Sequence, residues 1–476
     1  MNNIVIENIK KYLEENKANI VADIKDLVKV PSVSEDLPKV KECLRLLISK
    51  AEKMGFNAHS VLDDSIGIIE MGEGTETIGV LTHIDVVPVD DPEKWNTEPF
   101  DVVEKDGVLF GRGVLDDKGC IVSSLYAMQA LKELNLPINK KIQLIVGTQE
   151  EVEWTDMNQY IKEFKLPDYG FTPDGQFPIC NKEKGYADIA FKFTSSNNQD
   201  GEFEVINFSS GNATNSVPAV ASAKLKGNVE KLQTMLDAYL KENTDSKITI
   251  NKNEDILIVT AEGVSGHSAF PHLSVNPIVM LGKFLNTLTF KENAKSNAIK
   301  FVAENCYDYF GKGLGVYSES EYFEGEYMHR NVISPTVVKD DDSDCTVILN
   351  MRPVYGTTLE CLEETFAKVS AESKSKYEIL DFLAPIFVSK EKPFLQIMAD
   401  TYDELSDGLK NDFTLGHGTS YAKAMPNTVA WGPVFYDEDE CCHVANEYIS
   451  LEKLLRATHI YSVALARMVE SKDSLI

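Results

Sequence analysis

The sequence predicts an α/β protein in two domains: a main domain with a mixed, mostly parallel sheet flanked by helices, and an inserted α+β domain. Three observations carry this. A strand, helix, strand order occupies 78–148, an alternating texture of short strands runs from about 184 to about 384, and helical periodicity returns afterwards. Taken in order, 4–29 and 37–54 place apolar residues at three- and four-residue spacing and read as surface helices separated at Pro31 and Ser32. IGVLTHIDVV (78–87) and KIQLIVGT (141–148) are short, apolar and β-branched, whereas DDKGCIVSSLYAMQALKEL (116–134) between them has the helical period. ADIAFKF, KITI, ILIVTAEG and CTVILNMRP then read as strands, with polar loops such as TSSNNQDGE (194–202). PFLQIMADTYDEL and the final SLEKLLRATHIYSVALARMVE resume helices. The expected domains are 1–182 with 384–476, and 183–383 between them. A length of 476 residues suits two or three domains at roughly 100–200 residues each.

Composition narrows the function. Forty-seven Lys+Arg against 75 Asp+Glu leave a net charge of −28, which repels phosphate backbones and anionic membranes. Neither nucleic acid nor a membrane is an expected partner. The same acid excess focuses cations wherever carboxylates converge. Eight cysteines without a repeated spacing, and with no CxxC, suggest a reducing compartment, so a cytoplasmic location is expected. The first 27 residues mix charges with apolar positions, unlike a signal peptide, and no segment approaches the roughly 18–20 apolar residues of a membrane span. Cys441 and Cys442 precede His443, but adjacent cysteines point apart on most backbones and read as small core residues.

Five stretches could carry chemistry. In THIDVVP, His83 and Asp85 are two apart at the end of a strand, so they share a face, and in an open α/β sheet that end is where ligands bind. A carboxylate there can fix the imidazole tautomer that a metal needs, although a histidine beside an acid is also ordinary structure. In GRGVLDDKG (111–119), Asp116 and Asp117 stand between glycines just before a helix; one could be a helix cap, and two leave one to bridge cations. GTQEEVEW (147–154) puts Glu150 and Glu151 after the next strand, where one can bind metal and the other exchange protons. FTPDGQFP (171–178) supplies Asp174 in a turn, and CCHVANEYI supplies His443. Together these are hard oxygens plus imidazole without thiolate, a donor set for Zn²⁺, Mn²⁺ or Co²⁺.

The order and wording of THIDVVP, GRGVLDDKG, the Glu-Glu pair, the P-D turn, GVSGH, NMRP and a final H-x-x-N-E-Y closely resemble the di-zinc metallopeptidases that include carboxypeptidase G, aminoacylase, carnosinase and succinyl-diaminopimelate desuccinylase. The resemblance runs from about residue 20 to the C-terminus and is nearest to the bacterial dipeptidase PepV branch. It implies that His83 and Asp174 bind one metal, Glu151 and His443 the other, and that Asp116 bridges them. It implies Glu150 as general base and Asp85 as the group orienting His83. His267 in EGVSGHSAFP would stabilise the oxyanion from the inserted domain, which would act as a lid. Asn215 in ATNSVP and Arg352 in NMRP would hold the substrate's terminal carboxylate. Two departures stand out: Gln149 replaces the aspartate of a usual T-D-E-E-S, and the branch's GGGTYA loop is HGTSYA here. His417 and Thr419 therefore flank Gly418 in a loop expected to lie against the substrate.

The expectation is a metal-dependent dipeptidase for short unblocked peptides, using two divalent ions, zinc with manganese or cobalt as alternatives. The inserted domain, about 200 residues on these boundaries, resembles the branch in which extra chain replaces a dimer partner, which implies a monomer. Rivals are an N-acyl-amino-acid deacylase or desuccinylase on the same metals, and a non-catalytic metal- or peptide-binding protein. GRG and GHG also resemble fragments of phosphate loops, without the full glycine pattern.

Overall fold

A computed structural model describes residues 2–194, 200–341, 343–439 and 441–476. Most of the polar stretch expected as a loop, 195–199, lies outside the described residues. The chain divides into two compact units: Met1–Lys182 with Phe387–Thr414 and Ser420–Ile476, and Glu183–Ile386 with Leu415–Thr419.

In the first unit the periodic stretch 4–29 forms two helices, Asn3–Glu15 and Lys17–Val28, rather than one. Asn16 ends the first by turning its side-chain amide onto the Tyr12 carbonyl at 2.9 Å, a local bond that competes with continued helix. Leu37–Lys53 follows, its first turn capped by Asp36. The central sheet runs Asn57–Val61, Ile66–Met71, Lys141–Gly147, Thr77–His83, Tyr169–Thr172, Thr428–Ala430. The last four of these are parallel to one another, the strands in 57–71 pair antiparallel on one side, and Cys180–Glu183 continues the nine-stranded sheet antiparallel beyond Thr428–Ala430. The 78–87 strand stops at His83, because beyond it the Val86 N–H turns away to the Ser32 carbonyl at 2.9 Å.

Helix Lys118–Glu133 packs between sheet and surface helices and is buried nearly all round, which a long apolar face without charges permits. Its first residue, Lys118, is fully buried, and its ammonium donates to the Leu27 and Val30 carbonyls at 3.0 and 2.8 Å. A cation at those exposed carbonyls suits the negative end of helix Lys17–Val28 and pins the loop before it. The last helix, Leu451–Glu470, packs on Lys118–Glu133 and closes an aromatic cluster of Phe171, Phe177, Trp431 and Tyr461. Truncating such a buried ring to alanine costs about 3–5 kcal/mol.

The second unit is an eight-stranded antiparallel sheet in the order 248–253, 256–262, 220–226, 204–210, 332–341, 344–352, 186–194, 376–383. Strand 220–226 alternates buried and exposed residues, as a sheet with one covered face requires. Helices Val229–Glu242, Pro277–Leu285, Ala294–Asn305 and Leu359–Glu372 share with it one core that includes Phe191, Phe284 and Phe301. Among the described residues no helix is long and apolar enough to cross a membrane.

Candidate active site

Three parallel neighbours end at one edge of the first unit's sheet, with His83 in register with Gly147. The chain just past each end supplies an acid or imidazole: His83 itself, Glu150 and Glu151 after Gly147, and Asp174 after Thr172. Such an edge is open because each strand must leave the sheet there, and its loops are free to vary. Two further donors arrive from loops, Asp116 before helix Lys118–Glu133 and His443 before the last helix.

These side chains converge. His83 Nε2 lies 2.9 Å from Asp116 Oδ1 and 3.8 Å from Asp174 Oδ2. His443 Nε2 lies 3.1 Å from Asp116 Oδ2 and 3.1 Å from Glu151. Ligand atoms of His83, Asp116 and Glu151 fall within 4.8 Å of one another, as do those of His83, Glu150 and Asp174. No cysteine falls in either group. Cys441 is instead buried, its thiol on the Tyr448 carbonyl at 3.2 Å.

The donor set fits divalent cations. His83 Nε2 is buried and, despite the nearby Asp116 oxygen, has no hydrogen-bond partner among the described residues. Its other nitrogen faces Asp85, with the carbonyl oxygen at 3.1 Å and a carboxylate oxygen at 3.4 Å, so Nδ1 carries a hydrogen and Nε2 is the nitrogen turned toward the acids. The Asp85 carboxylate takes further partners as well. Ser34 Oγ donates to it at 2.8 Å, and the N–H groups of Glu150 and Glu151 at 3.2 and 3.3 Å. One residue thus fixes both the His83 ring and the backbone of the glutamate pair.

So many acids in a buried space must shift. Burial raises Glu150 well above the usual carboxylate range, with Asp174, Glu151 and Asp116 adding to it against His83. Burial and Asp116 carry Asp174 up to about 7. Asp116 and Glu151 in turn push His443 up to about 10. Asp117 is fully buried, accepts the His83 N–H at 3.1 Å, and joins Asp116 through a cis peptide. It braces the loop from behind.

Several supports were not legible in the sequence. The fully buried Glu447 carboxylate accepts from Arg112 Nη1 at 2.8 Å and from the N–H groups of Gly113, Leu115 and Asp116 at 2.9, 2.9 and 3.2 Å. The only trace of this role is its place in H-x-x-N-E-Y. Asp156 holds the loop after Gly147 through the N–H groups of Thr148 and Gln149 at 2.6 and 3.1 Å. Tyr421 lies so close to Gly147 that any Cβ there would meet its hydroxyl at 2.4 Å, so glycine is required.

Within the second unit, strand Gly266–His267 pairs with Ser216–Val217, and the Ser268 N–H donates to the Asn215 carbonyl at 2.9 Å. Asn215 and His267 are thus neighbours, both exposed. The Ala269 N–H donates to His267 Nδ1 at 3.2 Å, which leaves the hydrogen on Nε2. Burial and Arg352 lower His267, so it is a neutral donor near pH 7. Arg352 is buried at the end of its strand, stacked on the Tyr186 ring at 4.8 Å, with Nε donating to Asn350 Oδ1 at 3.3 Å. His417 and Thr419 each hold a buried polar atom without a partner among the described residues, and Gly418 opens onto free space.

Comparison with known proteins agrees with this layout. The profile of peptidase family M20/M25/M40 matches residues 79–467. A Staphylococcus aureus (strain MRSA252) protein provisionally named a dipeptidase is 30% identical over 477 residues, covering 96% of this chain and 98% of its own. Two solved structures share the fold: human carnosine dipeptidase 1, with TM-score 0.59 and 15% identity over 98% of this chain and 99% of its own, and Vibrio alginolyticus aminoacylhistidine dipeptidase, with TM-score 0.60 and 14% identity over 95% and 97%. With its match to that profile over most of its length, the chain belongs to peptidase family M20/M25/M40.

Proposed function

We propose that the protein is a two-metal dipeptidase that hydrolyses short unblocked peptides. The observation that carries this reading is the Asp116 carboxylate, with one oxygen 2.9 Å from His83 and the other 3.1 Å from His443. A carboxylate shared in this way suits two cations side by side. His83 and Asp174 would hold one, Glu151 and His443 the other, and Asp116 both. Zinc is the expected ion, with manganese or cobalt as substitutes, since all accept oxygen and imidazole. The bound ions supply the Lewis acidity that polarises an amide carbonyl and acidifies water.

The chain's own groups then divide the remaining work. Glu150 takes the proton of the attacking water and delivers it to the departing amine nitrogen, acting first as base and then as acid. His267, neutral with hydrogen on Nε2, donates to the developing oxyanion. Arg352 and Asn215 hold the substrate's terminal carboxylate, and the loop His417–Gly418–Thr419 lies against the peptide. The protein acts as a monomer in the cytoplasm.

The test is a hydrolysis panel of free dipeptides, a tripeptide, and N-acetyl and N-succinyl amino acids, with chelated protein reconstituted by zinc or manganese. Metal-dependent cleavage of the free dipeptides is expected. Cleavage of only the blocked substrates would move the reaction to deacylation, and metal binding without turnover of any of them would leave a binding protein.

A further inference from the structure

The second unit gathers basic side chains and imidazoles around Lys184, for which no carboxylate partner is found among the described residues. Lys184 is 1% exposed. Its ammonium donates to the Arg330 carbonyl at 2.9 Å and lies 3.0 Å from His329 Nδ1. Neither is an anion. Burying an ammonium against neutral acceptors is costly, and burial, with Arg352 nearby, lowers Lys184 to about 7. Asp188 bears on Arg352, and Glu321 bears on His329 while itself tied to Arg330 Nε at 3.2 Å.

The loop 415–419 joins this group directly, because the Lys184 N–H donates to the Gly416 carbonyl at 2.9 Å. The His417 ring lies 5.8 Å from that of His329 and 4.9 Å from that of Phe270. After burial, the groups that bear most on His417 are Lys184, His329, His272 and Arg352, every one a cation or an imidazole. His417 Nδ1 and Thr419 Oγ1 are buried and without partners among the described residues, while Gly418 between them faces open space. Unpaired hydrogen-bonding atoms beside an uncompensated ammonium are what a site for an anion leaves when its ligand is away.

Arg352 and Lys184 are separately anchored. The first is stacked on Tyr186 and bonded to Asn350, and the second is held by His329 and the Arg330 carbonyl. A ligand with two carboxylates neutralises both.

We propose that Lys184, His417 and Thr419 form a second carboxylate site, which takes the acidic side chain of the residue whose terminal carboxylate sits on Arg352. The favoured substrates are then dipeptides ending in Asp or Glu. This rests on the dipeptidase reading, and it assigns the side-chain preference that the reading leaves open.

The test separates the two claims by measuring binding as well as turnover. Calorimetric titration of the metal-loaded protein with free L-glutamate, L-glutamine and L-alanine should give glutamate an affinity at least tenfold above glutamine. Lys184→Met should bring that ratio near one, and His417→Gly, a loop change that spares the buried lysine, should reduce it severalfold. Turnover should follow: the ratio of kcat/KM for Ala-Glu over Ala-Gln exceeds ten in the native protein and collapses in both variants. Equal affinities for glutamate and glutamine would overturn the proposal, as would a preference that survives both substitutions. A retained glutamate preference in a protein that cleaves no dipeptide would uphold the anion site and sink the dipeptidase reading alone.

Discussion

Five of the histidines divide by neighbourhood, and the contrast between the two units is instructive. In the first unit His83 and His443 stand among carboxylates that outweigh burial and raise both imidazoles. In the second unit His267, His329 and His417 are lowered, burial coming first and Arg352 or Lys184 adding to it. The same side chain is set to opposite purposes by the sign of the charge around it. One neighbourhood suits cations held by the protein, the other an anion brought by the substrate.

Substitutions can break this contrast, beginning where the effect is greatest. Glu150→Ala should lower kcat by about 10²–10⁴-fold, the range of a lost acid–base group, while elemental analysis finds the metal content unchanged. A variant that keeps its rate would remove Glu150 from the mechanism. His267→Ala should lower kcat by about 10²–10³-fold, and a loss confined to KM would contradict an oxyanion role. Asp85→Ala should weaken metal affinity or activity by about 10–100-fold, because it removes the carboxylate that lies 3.4 Å from His83 Nδ1 and accepts two backbone N–H groups, while the backbone carbonyl stays. Unaltered affinity in a competition titration against a chelator would show that the His83 ring needs no such support.

The smallest effect is one of pH. His417 is held at about 4 in the folded chain, below the roughly 6.5 of an unfolded imidazole. As pH falls, the unfolded chain takes up that proton first, so stability drops between about 6.5 and about 4. His417→Gly should flatten this part of the melting-temperature profile. An unchanged slope would mean that His417 is better solvated than its surroundings imply.

The first unit's chemistry was more legible than the second's, for a physical reason. His83, Glu150, Glu151 and Asp174 follow apolar runs at fixed short offsets, so strand direction alone gathers them at one edge. Strand 78–87 was read too long and helix 4–29 too continuous, since Ser32 and Asn16 act through backbone bonds that periodicity does not register. The spacing of His83 and Asp85 places the carboxylate near the ring, but it does not show that the Asp85 carbonyl faces the same nitrogen. Glu447 was invisible because its partner Arg112 is 335 positions away, and Lys118 because buried ammonium pairing with carbonyls has no local pattern. In the second unit the side chains around Lys184 come from 329, 352 and 417, and nothing in the spacing of those segments shows that they meet.

The distant clasp of Glu447 on residues 112–116 bears on how the protein is made. While the chain emerges from the ribosome, every sheet-edge donor up to Asp174 is already present, yet the loop carrying Asp116 lacks its brace and His443 is not yet translated. The cluster of acids and imidazoles therefore cannot be completed until residues 443–447 have been made, just ahead of the last helix.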